Sequence, residues 1–178
     1  MFHGLPIREV IVWLRGEDSA FRLSLDSSIF ISQLTGDVHA EAVLTALLVL
    51  ETMGAELTLP LLCYAELWTG VELLPETERL VAAETLDRVL RASRVLLVAD
   101  NVVIAREAAR AQAAYRRRVG RREVLIPDFV IGANATYYAG RLLTTNPRDF
   151  FRVFPALEVL TPQAFLAQYA PTPGPGER

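Results

Sequence analysis

Short apolar runs that stop near a carboxylate, separated by stretches with helical spacing, constrain this chain more than any other feature. Arg22 to Leu25 reads as a strand that runs straight into Asp26. Glu56 to Cys63 reads as a second, pushed by Pro60 towards an edge or a bulge. Val95 to Val98, Leu142 to Thr144 and Leu157 to Leu160 supply three more. Asp37 caps a helix to about Met53, with Val43, Leu44, Leu47, Leu48 and Leu50 as its apolar positions and Gly54 as its stop. Ala65 to Glu72 makes a short helix, and Pro75 opens a longer one along Leu80, Ala83, Leu86, Val89 and Leu90. Asp100 or Asn101 caps the next, which stops near Gly120, and Pro127-Asp128 opens one that runs through Tyr138 to Gly140. Parallel strands need such long crossovers, because a tight hairpin cannot join them. The order βαβααβααββ therefore predicts an α/β fold of three layers, a mainly parallel central sheet flanked by helices. Ligands of such sheets sit beyond the carboxyl ends of the strands.

The 178 residues suit one domain, expected over 22–170. Residues 1–21 precede it as an extension, in which Ile7 to Leu14 suits an extra strand or a short helix. The Pro/Gly-rich stretch 171–178 reads as a disordered tail. A net charge of −3 argues against broad coating of polyanions, but leaves room for a local basic patch. All 18 positive residues are arginine, so a Walker phosphate loop and Schiff-base chemistry are excluded. Cys63, the single cysteine, reads as an inert buried thiol, and with only His3 and His39 beside it no Cys/His zinc spacing exists. Val10 to Leu14, the longest apolar run near the N-terminus, is too short for a signal peptide or a membrane span. A cytoplasmic protein is expected.

Four acids fall where the topology gathers side chains. Asp26 follows a strand, Glu66 sits in LLCYAELWTG, Asp128 opens a nearly uncharged helix, and Asp149 follows an Asn-Pro turn signal in LLTTNPRDFF. Each alone has an ordinary use, as a helix cap or a surface charge. Gathered at one edge they would repel one another, unless protons or a cation intervene. Oxygen ligands select Mg²⁺ or Mn²⁺, and a water on such an ion is acidic enough to attack a phosphorus in line. The pattern therefore points to phosphodiester hydrolysis.

These segments resemble the ordered motif set of PIN domains, and of VapC toxins in particular, from about Arg22 to Leu160. The resemblance puts the family's first acid on Asp26, with Ser27 and Ser28 behind it. It puts the glutamate on Glu66, with Gly70 following, and the third acid on Asp128, before Ala133, Asn134 and Ala135. The last motif falls on Thr144, Asn146 and Asp149; Asn146 competes for the fourth place, but a carboxylate binds a cation better than an amide, which favours Asp149. What this implies is an Mg²⁺- or Mn²⁺-dependent ribonuclease, the toxin of a toxin–antitoxin pair, neutralised by an antitoxin in its cleft and acting as a homodimer. A PIN nuclease of RNA processing and a non-catalytic RNA- or protein-binding module are the other readings.

Tyr115 precedes five arginines, Arg116, Arg117, Arg118, Arg121 and Arg122, which suit phosphate contact or a solvated helix end. Tyr115 is a candidate to stack on a base, and Arg148 and Arg152 flank Asp149. Leu67, Trp68, Leu73 and Leu74 suit either the core or a groove for an antitoxin helix.

Overall fold

The computed structural model describes residues 21–119 and 126–170. The expected element at 7–14, the tail at 171–178 and two of the five arginines, Arg121 and Arg122, lie outside the described residues.

Five strands form one sheet: β1 (Arg22–Leu25), β2 (Glu56–Pro60), β3 (Leu96–Val98), β4 (Arg141–Leu143) and β5 (Glu158–Leu160). Their order is β3-β2-β1-β4-β5, and every pairing is parallel. The chain builds outward from β1 to β3 on one side, then returns to lay β4 and β5 on the other. Strand order thus reverses between β1 and β4, where an open α/β sheet leaves a crevice at its carboxyl edge. Two ion pairs fasten the opposite edge. Arg22 meets Glu56 and Arg141 meets Glu158, each at 2.8 Å and each between register partners of neighbouring strands. Partly exposed pairs of this kind add at most about 1 kcal/mol each.

The helices are α1 (Ser27–Thr35), α2 (Ala40–Thr52), α3 (Leu61–Glu72), α4 (Glu76–Ala92), α5 (Val102–Val119), α6 (Ile126–Tyr138) and α7 (Pro162–Tyr169). Leu23, Leu25, Ile29, Phe30, Leu59, Leu142 and Phe165 are fully buried between them and the sheet. Asn101 caps α5 as expected, its Oδ1 accepting from the N–H groups of Val103 and Ile104.

Several expectations need correction. The second strand stops at Pro60, and α3 starts at Leu61, so Cys63 is helical and Glu66 lies in the second turn rather than at the helix start. Pro60 also ends an interior strand rather than an edge one. Pro60 lies beyond the β1 ladder, which ends at Thr58, and is paired only on its other side, with Val98 at the end of β3.

Helices α1 and α7 were absent from the expected order. The first is implied only by the capping role weighed for Asp26, since its serines and β-branched residues have weak helix propensity. The second carries a readable start, with Thr161 Oγ1 accepting from Ala164 N and Pro162 in the first turn. In α2 the buried line is Val43, Ala46 and Leu50, while Leu44 and Leu48 are more than half exposed. In α4 the line is Leu86 and Leu90, and Leu80 faces outward. Helix α6 crosses β1, β2 and β4 with its buried Gly132 to Ala135 face. A Cβ on Gly132 would strike the ring of Phe154, so only glycine fits that approach.

Candidate metal centre

The end of β1 decides what Asp26 does. Its N–H donates to Leu143 O at 3.0 Å, carrying the β1–β4 ladder one residue past the strands. Asp26 is also the N-cap of α1 by backbone geometry, yet its carboxylate caps nothing there. Oδ2 instead accepts the hydroxyls of Ser28 at 2.6 Å and Thr144 at 2.7 Å. The ordinary helix-cap role is therefore not the one this side chain plays.

The two hydroxyls are themselves fixed. Ser28 Oγ accepts from Thr145 N at 3.1 Å, and Thr144 Oγ1 accepts from Asn146 N at 3.0 Å. Each hydroxyl has one proton, and both point at the same oxygen. Glu66 is held by a third hydroxyl, that of Ser27, which donates to its Oε2 at 2.6 Å. Ser27 and Ser28 open α1 one after the other, so adjacent residues orient carboxylates from two different elements. Asp26 and Thr144 are buried, and Glu66 is half-buried.

One ligand atom each from Asp26, Cys63 and Glu66 lies within 4.8 Å of the others. Cys63 precedes Glu66 by three residues on α3, which puts both on one face of the helix. Its thiol sits 3.8 Å from Asp26 Oδ1 as a donor. Burial, followed by the charge of Asp26, pushes the thiol far above its usual range, so it stays protonated. The carboxylate oxygens of Asp26 and Glu66 are hard donors, which suit Mg²⁺ or Mn²⁺. Sequence reading placed Cys63 in a strand and missed its place here.

Of the residues expected at the site, Asp26, Ser27, Glu66 and Thr144 come together. Asp128 and Asp149 stand outside that group. Asp128 is half-buried in the first turn of α6, and Asp149 is exposed in a short 3-10 turn, Pro147–Asp149. Exposed Asn146 caps the same turn. Arg116, Arg117 and Arg118 are exposed at the end of α5, and Arg118 donates to Arg152 O at 3.2 Å. That bond ties the basic stretch to the segment following Asp149. Tyr115 is half-buried and packs against buried Phe129, with 5.7 Å between ring centroids in a T-shaped arrangement. Trp68 likewise packs against Tyr64 and the core, while Leu73 is exposed.

A family model described as PIN domain matches residues 23–154. The chain belongs to the PIN-domain family. Solved structures share the fold of this PIN domain, among them toxin–antitoxin complexes. FitAcB from Neisseria gonorrhoeae is 26% identical, with a TM-score of 0.61 over 79% of this chain and 98% of that one. VapBC2 from Rickettsia felis bound to a promoter DNA fragment is 18% identical, with a TM-score of 0.64 over 79% of this chain and 98% of that one. DNA-bound VapBC from Salmonella typhimurium is 16% identical, with a TM-score of 0.62 over 80% of this chain and 98% of that one. No curated protein matches the sequence.

Proposed function

We propose that this PIN domain is a divalent-metal-dependent endoribonuclease and the toxin of a VapBC-like pair. The observation that carries the reading is the Asp26–Glu66 pair at the sheet's switch point, each carboxylate oriented by its own hydroxyl donors. Asp26 and Glu66 hold the ion, joined by Asp128 from α6, with Asp149 or Asn146 orienting water. When bound, Mg²⁺ or Mn²⁺ supplies charge neutralisation and a more acidic water. Ser28, Thr144 and Ser27 keep the carboxylates pointed inward before any ion arrives, which lowers the ordering cost of binding. Arg116, Arg117, Arg118, Arg121 and Arg122 take up backbone phosphates.

The antitoxin is proposed to occupy an apolar groove of about 680 Å³ between α1, α3 and α4. Leu67, Gly70, Val71, Leu74, Val81 and Ala82 line it, and Glu66 stands in its wall. An amphipathic helix laid there would cover the metal centre from the side. The protein acts as a homodimer in the cytoplasm, where exposed Tyr137 at the end of α6 offers a contact face. No helix of the described residues is long and apolar enough to cross a membrane.

The test is purified protein incubated with total RNA, with Mn²⁺ or with EDTA, beside Asp128→Asn. Cleavage that needs Mn²⁺ and vanishes in the variant supports the reading. Cleavage that ignores both would end it.

A further inference from the structure

The segment after Asp149 carries three phenylalanines with different surroundings. Phe150 and Phe154 are core, whereas Phe151 is 70% exposed. A fully core-facing segment would not present a large aromatic ring to water between two arginines. Phe151 lines a cavity of about 600 Å³ together with Arg148 and Arg152. Its remaining wall is small and apolar, with Pro147, Val159 and Ala164, and Thr161 is the neutral polar group. Among the described residues, no carboxylate lines it.

Arg118, at the end of α5, is tied to the same segment by donating one N–H to Arg152 O. A guanidinium has five donors, so four remain. None of the ion pairs among the described residues uses Arg118, Arg148 or Arg152. One exposed aromatic ring in a cavity also lined by Arg148 and Arg152 matches a nucleotide: the base stacks, and its phosphate takes the forks. A protein partner would want a wider apolar patch than one ring supplies. The position suits this too, because Arg148 follows by four residues the Thr144 hydroxyl that holds Asp26.

We infer that the Phe151 cavity is a subsite for one nucleotide of single-stranded RNA flanking the scissile bond, with the base on Phe151 and the phosphate on Arg148, Arg152 and Arg118. The inference rests on the ribonuclease reading above.

The test uses a short mixed-sequence RNA carrying 2-aminopurine at successive positions, bound in EDTA so that no cleavage intervenes. Binding should quench the fluorescence at one position. Phe151→Ala should remove that quench and weaken binding by roughly tenfold, the scale of one lost base stack. Phe151→Trp should keep both. Arg148→Ala and Arg152→Ala should each make the salt dependence shallower by about one phosphate contact. Unaltered quench and affinity in Phe151→Ala would overturn the subsite. So would wild-type protein that cleaves RNA in Mn²⁺ but gives no quench at any position. A changed oligomeric state of Phe151→Ala on gel filtration, with RNA binding intact, would reassign the ring to a protein contact. Absence of Mn²⁺-dependent cleavage by the wild type would instead remove the ribonuclease reading itself, and the subsite with it.

Discussion

Thr144 donates its hydroxyl to Asp26 Oδ2 at 2.7 Å, joining residues 118 apart in sequence at the ends of the adjacent parallel strands β1 and β4. The bond is fully buried on the threonine side. Thr144 Oγ1 also accepts from Asn146 N at 3.0 Å, which holds the hydroxyl in place beside Asp26. Thr144→Val keeps the shape and deletes the donor. Metal-binding carboxylates that lose an outer hydrogen bond typically lose about 10–100-fold in affinity or activity. Mn²⁺ titration calorimetry should therefore weaken by that factor in Thr144→Val and recover in Thr144→Ser. Equal affinity in all three proteins would show that the bond orients nothing.

Asp26→Asn and Glu66→Gln test the pair more directly. Each removes one charge from a site where carboxylates face each other, so the metal-free protein should melt at the same or a higher temperature. The melting shift produced by added Mn²⁺ should disappear, because an ion that binds only the folded state raises its stability by mass action. A wild-type-sized shift in both variants would place the ion elsewhere.

Much of this was legible in the sequence. Strand-to-helix alternation gave the parallel sheet, because each acid-ended apolar run was followed by enough chain to cross over. Asp26 was legible as a position but not as a role, since capping and metal binding ask for the same residue at the same place. Only the partners of its carboxylate, the hydroxyls of Ser28 and Thr144 rather than the backbone N–H groups of α1, separate the two. Cys63 was missed at the site because Pro60 looked like an interruption in a strand, when it was the last residue of one. Once α3 starts at Leu61, the Cys63–Glu66 spacing becomes a helical i,i+3 pair and the thiol's position follows. Leu44 and Leu48 show the limit of periodicity, since a helix with apolar residues on most sides does not announce which side is buried.

Cys63 should resist alkylation. It is fully buried, and burial together with Asp26 keeps its thiol protonated, whereas the thiolate is the reactive form. Iodoacetamide at mildly alkaline pH should leave the native protein unlabelled and label it fully in denaturant, read by intact mass. Rapid labelling of the native protein would mean that the thiol is open to solvent.

Gly132→Ala tests the packing behind the site. The added methyl would fall on the ring of Phe154, itself buried, so the ring or the helix must move. Overpacking of this kind costs about 1–3 kcal/mol. Urea unfolding should show a midpoint lowered accordingly with an unchanged slope. Because α6 also carries Asp128, a displaced helix should lower Mn²⁺-dependent cleavage as well as stability. An unshifted midpoint would show that Phe154 swings aside freely.

The groove beside Glu66 gives the prediction that separates toxin from solitary nuclease. Val81 lines it and is largely exposed, so Val81→Glu places a charge on the groove wall without touching the core. Burying that charge under an apolar helix would be costly without a partner. The variant should fold and cleave RNA as the wild type does, because Val81 belongs to α4 and not to the metal centre. What it should lose is neutralisation. When co-expressed with the protein encoded beside it, the wild type should be tolerated by the host and Val81→Glu should stop growth. The comparison is sharp because catalysis and capture share Glu66 in one wall but not Val81 in the other. If Val81→Glu is neutralised as well as the wild type, the inhibitor approaches from another face.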